Sequence, residues 1–472
     1  MVFTHFPNFT GPFPVAVADH EWPDAFSPTD ERLFALDGVR PQSLLVRVFY
    51  PTTRAATPAE RPRWLSDHEG QGYGDFIRMP RFLSRPLFST IFRSAKVPTV
   101  PNGELAPAGS SAVTSSSPAL PEKLPVVVFS HGLGGCKGTY QYFAGDLASR
   151  GAVVFAIEHR DQSACISFEK FADDSNTPDR SIPYLRGSTL GTDAVAVKLR
   201  RTQVLHRAAE VRRTVALIRR IARGEVPANT RGSTSPLAAL AGRLDLDTQL
   251  LAGHSFGGAT TVEVLQQQHA RVPGADADED LTFRAALVMD PWMMPTDPSL
   301  GISVPTLISS SETFHWKSNS VAMAEWTRAS AGTKESMAHV TLKGLAHQNH
   351  SDMPILIPRL MQASKMAGPA DPRVAVLRNN AAWADFLTTH GVRLPAPEYT
   401  PADLCLSDSL DGASQSTILK EAEAEAAAIG GASAAVSSST ATVLNAEHPE
   451  VLVGWAKYVS EHGIEDPYVP EE

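Results

Sequence analysis

The chain has 472 residues, of which 43% are hydrophobic and 20% are charged, with a formal net charge of −9. This composition is typical of a globular protein with a large core, and the negative charge argues against a nucleic-acid partner. No stretch approaches the roughly 20 consecutive apolar residues of a membrane-spanning helix. Three cysteines (Cys136, Cys165 and Cys405) are too few for a disulfide framework. The low cysteine count and an N-terminus that lacks a signal-peptide pattern together predict a cytoplasmic protein.

In chain order, short segments rich in Val, Leu and Phe alternate with segments of helical periodicity. Strands are predicted at 44–50, 125–129, 152–158 and 285–289, with further candidates at 306–309 and 339–342. Helices are predicted at 197–222 and 259–268. This alternation predicts an α/β fold with a mostly parallel central sheet and helices on both faces. We expect the arginines at 200–223 to form a solvated face.

The predicted organisation is one catalytic domain, residues 1–405, with surface insertions. The insertions are a Ser/Ala/Pro-rich loop at 103–120 and an acidic loop within 270–282. Residues 406–472 contain an Ala/Ser/Glu-rich low-complexity stretch followed by a C-terminal tail.

A G-x-S-x-G motif lies between a strand-like and a helix-like segment, as Gly253-His254-Ser255-Phe256-Gly257. Glycines two positions on either side of a serine permit the sharp strand-to-helix turn that exposes a nucleophile. The motif therefore predicts that Ser255 is a catalytic nucleophile on an α/β-hydrolase fold.

In this fold the acid and then the histidine follow the serine along the chain. Asp290 directly follows a predicted strand and is favoured over Asp297, whose Pro- and Ser-rich surroundings indicate a turn. His347 lies in a loop after a predicted strand, and His350 is its competitor. Four other histidines that follow Asp290 are less favoured because they lie within a strand or in polar regions downstream (His339, His390, His448 and His462).

Acyl transfer also requires an oxyanion hole, because the tetrahedral intermediate carries a negative oxygen. One amide is predicted at Phe256, directly after the nucleophile. The second is predicted at Leu133, in the Gly-rich loop after the strand at 125–129. His131 either braces this loop or is a packed structural histidine. No metal or other cofactor is expected, because a serine mechanism requires none.

The chain resembles the platelet-activating-factor acetylhydrolase family, the calcium-independent phospholipases of lipoprotein-associated type and their intracellular relatives. The resemblance extends over roughly residues 10–405 and rests on VFYPT, VVVFSHGLGG, DLASRGAVVFAIEHRDQSA, GHSFGGAT, LVMDPWM and GLAHQN. It implies the same triad (Ser255, Asp290 and His347) and the same oxyanion amides (Leu133 and Phe256). It also implies a phospholipid substrate with a short or oxidised sn-2 acyl group.

Two segments bear on contact with lipid. Residues 76–96 hold five basic and no acidic side chains among Phe, Leu, Ile and Met. They predict either peripheral contact with a membrane or a packed helix with a basic edge. Residues 353–366, after His347, favour a core helix over a second lip of a lipid-facing mouth.

Three functions remain open from the sequence. The favoured one is calcium-independent hydrolysis of platelet-activating-factor-like phospholipids. The alternative is a general carboxylesterase or polyester hydrolase. The third, of another class, is a non-catalytic lipid-binding protein on a hydrolase fold, and an intact candidate triad argues against it.

Overall fold

The computed structural model of the chain describes residues 6–394, apart from 24, 27–40, 85, 87, 89–94, 111–118, 171–178, 187–193, 233–235, 273, 275–276 and 331–336. The predicted tail at 406–472, Cys405, His448 and His462 lie outside the described residues. So do parts of the segments 76–96, 103–120 and 270–282. The domain boundary at residue 405 therefore stays a prediction.

A nine-stranded sheet forms the centre of the fold, in the order β11-β10-β9-β8-β4-β5-β2-β1-β3. Its strands are β1 (Val15–Trp22), β2 (Leu44–Pro51), β3 (Thr99–Pro101), β4 (Leu124–Ser130), β5 (Val153–Glu158), β8 (Leu244–His254), β9 (Ala285–Met289), β10 (Thr306–Ser311) and β11 (Met337–Leu342). The six strands from β11 to β5 pair in parallel, whereas β2 pairs antiparallel with both β5 and β1. A separate antiparallel hairpin joins β6 (Ile166–Glu169) to β7 (Arg180–Pro183).

Helices cover the sheet. They are α1 (Asp67–Phe76), α2 (Gln141–Ser149), α3 (Ala194–Ala222), α4 (Phe256–His269), α5 (Lys317–Ala329), α6 (Met353–Leu356), α7 (Pro358–Ala363) and α8 (Pro372–Thr389). Short 3₁₀ turns occupy Pro236–Leu240, Ala277–Glu279 and His347–His350.

Two hydrophobic clusters fill the two faces of the sheet, and strand β4 shows the division. Val127 and Phe129 belong to one cluster, together with α2 and α8, which contribute Phe143 and Trp383. The residues that alternate with them along β4 belong to the other cluster, together with α3, α4 and α5. Successive strand residues point to opposite faces, so a strand buried on both sides is apolar along its whole length. The predicted fold class is confirmed.

One sequence prediction about α3 was wrong. The arginines at 200–223 were expected to form a solvated face, but five of them are buried (Arg200, Arg201, Arg207, Arg212 and Arg213). Four of the guanidinium groups pair with buried carboxylates or backbone carbonyls, and that of Arg200 donates to Gln203 Oε1 and the Tyr184 hydroxyl. These partners compensate the cost of removing charge from water. Part of the acidic insertion supplies such a partner, because Glu279 is buried against Arg213 at 2.5 Å.

Among the described residues, no helix has the length and apolar character needed to cross a membrane.

Candidate active site

The turn between β8 and α4 holds Ser255 in a backbone conformation that few non-glycine residues adopt, with φ 58° and ψ −116°. The turn is tight. A Cβ on Gly253 would lie 2.2 Å from the carbonyl oxygen of Gly257, and a Cβ on Gly257 would lie 2.0 Å from the carbonyl oxygen of Ser130. Both glycines of the motif are therefore required sterically. The turn leaves the Ser255 side chain at the start of α4, where helix N–H groups favour negative charge.

Ser255, His347 and Asp290 form a continuous hydrogen-bonded row. Ser255 Oγ lies 2.9 Å from His347 Nε2, and His347 Nδ1 lies 3.1 Å from Asp290 Oδ2. The three side chains come from the carboxyl ends of β8 and β9 and from the loop after β11. This is the geometry that lets an imidazole accept the serine proton while a carboxylate fixes its tautomer.

Asp290 is fully buried, with a positive φ of 42°. Burial alone would raise the pKa of this carboxyl, but His350 and His347 lower it well below its usual range. Ser311 adds two hydrogen bonds, from its amide at 2.7 Å and from its hydroxyl at 2.6 Å. The carboxylate is therefore held in its charged form and in one orientation. Nothing in the sequence near Asp290 indicated Ser311, because the contact depends on the pairing of β9 with β10.

His350, the competitor for the role of base, lies beneath the row instead of facing the serine. Its Nδ1 accepts a hydrogen bond from Asn379 Nδ2 at 2.6 Å, and its Nε2 lies 3.3 Å from Asp290 Oδ2. Because Nδ1 accepts, a neutral His350 carries its proton on Nε2, towards the carboxylate. The rival acid Asp297 accepts from the amide and hydroxyl of Ser299 in a local turn, as its surroundings indicated.

The two predicted oxyanion amides belong to the residue directly after Ser255 and to the loop that follows β4. Phe256 is the first residue of α4, so its N–H has no partner within the helix. Among the described residues, no acceptor is hydrogen-bonded to the amide of Leu133. The loop carrying Leu133 approaches Ser255 closely, since a Cβ on Gly132 would lie 3.3 Å from Ser255 Cβ. The oxyanion hole formed by these two amides stays a prediction.

Tyr140 and His254 support this loop and were not predicted from the sequence. The Tyr140 hydroxyl accepts a hydrogen bond from the Gly132 amide at 3.2 Å and lies 2.7 Å from His254 Nδ1. The His254 ring packs on the His347 ring with 4.4 Å between centroids. Burial and the neighbouring His347 and His350 lower the pKa of His254 well below its usual value, so the ring is neutral.

His131 takes part in bracing the loop. Its Nδ1 hydrogen-bonds the carbonyl of Gly132 at 2.8 Å, and its Nε2 accepts from the His159 amide at 3.3 Å.

Phe314 stacks on the His347 ring, with 3.9 Å between the ring centroids and 10° between the ring planes. Such a stack restricts the imidazole to one plane, and no sequence signal marked Phe314.

Two clusters of potential metal ligands occur among the described residues. One is the triad region itself, with His254, Asp290 and His347. The other is Glu69, Cys136 and Glu158, but Lys137 Nζ lies 2.9 Å from Glu69 and 3.7 Å from Glu158 and supplies the positive charge there. These carboxylates line a cavity of about 950 Å³ between α1, β2 and β6, and none of its lining residues belongs to the Ser255 row.

The elbow, the hydrogen-bonded row and the strand order together define an α/β hydrolase. Comparison with known proteins identifies the family within this class. The sequence model "Platelet-activating factor acetylhydrolase, isoform II" matches residues 3–395. The chain belongs to this family and is thus a hydrolase of ester bonds.

Individual relatives agree with this membership. The platelet-activating factor acetylhydrolase of Gallus gallus is 30% identical over 368 residues, which are 75% of this chain and 80% of the relative. The enzyme of that name from Cavia porcellus is 27% identical, over 81% of this chain and 77% of its own. A putative phospholipase A2 of Schizosaccharomyces pombe is 29% identical, over 77% of this chain and 87% of the relative. Among solved structures, a ferulic acid esterase from Streptomyces cinnamoneus matches with a TM-score of 0.54 at 19% identity, over 88% of this chain and 98% of that one, and supports the fold.

Proposed function

We propose that this protein is a calcium-independent serine hydrolase that removes a short or oxidised sn-2 acyl group, such as acetyl, from platelet-activating-factor-like phospholipids. The observation that carries the proposal is the Ser255–His347–Asp290 row at a strained strand-to-helix turn. The substrate class rests on the family and on the names of the relatives.

In the acylation step, Ser255 Oγ attacks the sn-2 carbonyl carbon while His347 Nε2 takes the hydroxyl proton. The carbonyl oxygen becomes an oxyanion and receives hydrogen bonds from the amides of Leu133 and Phe256. Collapse of the intermediate breaks the bond to the glycerol oxygen, and His347 returns its proton to that oxygen. The lysophospholipid leaves, and the acyl group stays on Ser255.

In the deacylation step, His347 removes a proton from water, which attacks the acyl carbon. The second tetrahedral intermediate uses the same two amides. Its collapse breaks the bond to Ser255 Oγ, which takes the proton back from His347, and releases the carboxylic acid. Throughout, the buried Asp290 carboxylate stabilises the positively charged imidazolium. The serine, histidine, carboxylate and backbone amides supply each proton transfer and charge contact in this scheme, so we expect activity to persist when calcium is chelated.

A lipid-facing mouth is part of the proposal. Exposed apolar side chains concentrate in the two segments that the sequence marked, with Ile77, Phe82 and Leu83 in one and Leu360 and Met366 in the other. The exposed arginines in these two segments can pair with the phosphate groups of lipids.

The two segments start close together. Tyr73, in the last turn of α1, hydrogen-bonds Thr139 Oγ1 at 2.6 Å, and the Asp352 amide, just before α6, donates to the Thr139 carbonyl at 2.9 Å. We propose that both segments rest on the surface of a membrane or lipid particle and that Ser255 draws its substrate from there.

The test is acetate release from a 2-acetyl ether phospholipid with calcium chelated, for wild type and Ser255→Ala. Ser299→Ala, at an exposed serine, is the matched control. The same three proteins are assayed on nitrophenyl acetate, which is soluble. Phospholipid turnover that only Ser255→Ala abolishes is the expected result. Turnover of nitrophenyl acetate alone would favour the general esterase, and no Ser255-dependent turnover of either would favour a binding protein.

A further inference from the structure

Arg207 of α3 is fully buried, and its guanidinium reaches the loop that carries Leu133. Its Nη1 donates to the carbonyl oxygen of His131 at 2.6 Å. Its Nε donates to Asp161 Oδ2 and to Ser163 Oγ, both at 3.0 Å. A planar guanidinium with this many partners is fixed in position and angle, and so is the carbonyl that it holds.

The same guanidinium lies over the ring of Phe256, with Cζ 4.5 Å from the ring centroid. The Phe256 side chain is buried in a small cluster with Val204 and Ala259, against Leu133 and Trp292. A cation over an aromatic face is attracted to it, more strongly where both are removed from water. Arg207 therefore contacts both halves of the oxyanion hole, which come from separate parts of the chain.

Glu210, one turn further along α3, holds the ends of the strands beneath the loop. It accepts from the Arg160 amide at 2.8 Å and pairs with His159 Nδ1 at 2.5 Å, and His159 Nε2 lies 2.7 Å from Ser130 Oγ. This Ser–His–Glu row has the order of a catalytic triad, but all three side chains are at most 2% exposed. No ester reaches it, so it acts on the geometry of the loop that starts at Ser130.

We propose that Arg207 is a positioning residue of the oxyanion hole, which sets the distance between the Leu133 and Phe256 amides with the help of Ser163 and Glu210. The inference rests on the proposed function, since it assumes that these two amides stabilise the intermediate. A guanidinium that served only the fold would affect stability and leave the chemical step unchanged. One that positions the hole acts on kcat, because the oxyanion exists only in the transition state and intermediate.

The test compares Arg207→Lys with Arg212→Lys. Arg212 is the matched control because it is a buried arginine of the same helix that donates to Val272 and Glu279 carbonyls, away from the loop. Lysine keeps the charge but loses the planar fork. For nitrophenyl acetate we expect the kcat of Arg207→Lys to fall about 10- to 100-fold, while KM changes by no more than about twofold. This decrease in kcat is at most as large as the decrease caused by removing one oxyanion donor. Arg212→Lys should retain the wild-type kcat.

A second readout separates positioning from a structural role. An alkyl trifluoromethyl ketone forms a tetrahedral adduct on Ser255 whose oxyanion occupies the hole. We expect its affinity to fall in proportion to kcat/KM in Arg207→Lys. If Arg207→Lys does not fold, Ser163→Ala replaces it, because this substitution removes a hydroxyl that Arg207 contacts. We expect kcat/KM and ketone affinity each to fall about threefold to tenfold in Ser163→Ala, which is less than the effect of removing one oxyanion donor.

The inference is overturned if the folded variant keeps kcat within twofold, if kcat falls while ketone affinity is unchanged, or if Arg212→Lys shows the same loss. A fluorophosphonate titration distinguishes these results from failure of the proposed function. Wild-type protein that labels Ser255 and releases acetate from the 2-acetyl ether phospholipid leaves the function standing whatever Arg207→Lys does. Wild-type protein that does neither refutes the function, and the inference with it.

Discussion

Replacement of Gly257 by alanine is expected to damage the oxyanion hole more than the fold. The added Cβ would lie 2.0 Å from the carbonyl oxygen of Ser130 and 2.8 Å from that of His131. Reaching an ordinary contact of 3.4 Å requires a displacement of about 1.4 Å, and both neighbours are backbone atoms of the loop that carries Leu133. A misplacement of about 1 Å in a catalytic array costs about 100-fold in rate. We therefore expect kcat to fall about 100-fold or more.

The assay is kcat on nitrophenyl acetate, normalised to the fraction of Ser255 that reacts with a fluorophosphonate. Overpacking of this kind costs about 1–3 kcal/mol of unfolding free energy, which leaves a typical domain folded. Thermal unfolding of each variant checks this. Gly232→Ala is the control, because a Cβ there meets no atom within 4 Å. A folded, fully labelled Gly257→Ala with kcat within twofold of wild type would refute the reasoning.

Three further predictions follow from named contacts. Asp290→Asn should lower kcat about 10³- to 10⁴-fold, because an amide cannot hold the tautomer that the proton transfer needs. Burial alone would raise the pKa of Asp19, but Arg47 lowers it to about 2, so the pair stabilises the fold above the unfolded pKa of 3.8. As pH falls from about 5 to 2, wild type should lose about 2 kcal/mol more unfolding free energy than Asp19→Asn, measured by urea unfolding at each pH. Leu83→Ser should weaken sedimentation with phosphatidylcholine vesicles about tenfold relative to Leu300→Ser, a leucine of similar exposure elsewhere, and equal binding of the two would contradict the lipid-facing mouth.

The sequence predicted the elements whose signals are local. Strands β4, β5 and β9 were found within one residue of their bounds, because a strand buried on both faces is a short continuous apolar segment. Ser255, Asp290 and His347 were marked by a motif and by their order along the chain, and the structure brings these three side chains together. Their assignment as the catalytic triad stays a prediction that the kinetic tests above address.

Strand β1 was missed because polar residues interrupt its apolar pattern. His20 and Glu21 are fully buried there, and Glu21 pairs with Arg160 at 2.8 Å and also with Arg231. The partners lie far away in the sequence, so no window along β1 reveals that its carboxylate belongs inside the protein. The error over α3 has the same origin. Arginines at helical spacing indicate a solvated face unless buried oxygen atoms lie close enough to accept their hydrogen bonds. Those acceptors belong to other elements of the fold, so the sequence of the helix does not reveal them.

These buried arginines share a function that explains their position. Arg160 donates to the carbonyl of Ser43, Arg201 to that of Pro295 and Arg207 to that of His131. Each of these carbonyls belongs to residues where the chain is outside the regular hydrogen bonding of the sheet, and buried carbonyls require donors. An α/β hydrolase places its functional loops at this edge, so irregular backbone and burial coincide there. Arginine suits the task because it carries several donors on a long stem and stays charged. The loops around Ser255 are thus held by directional bonds from charged side chains, which apolar packing alone cannot supply.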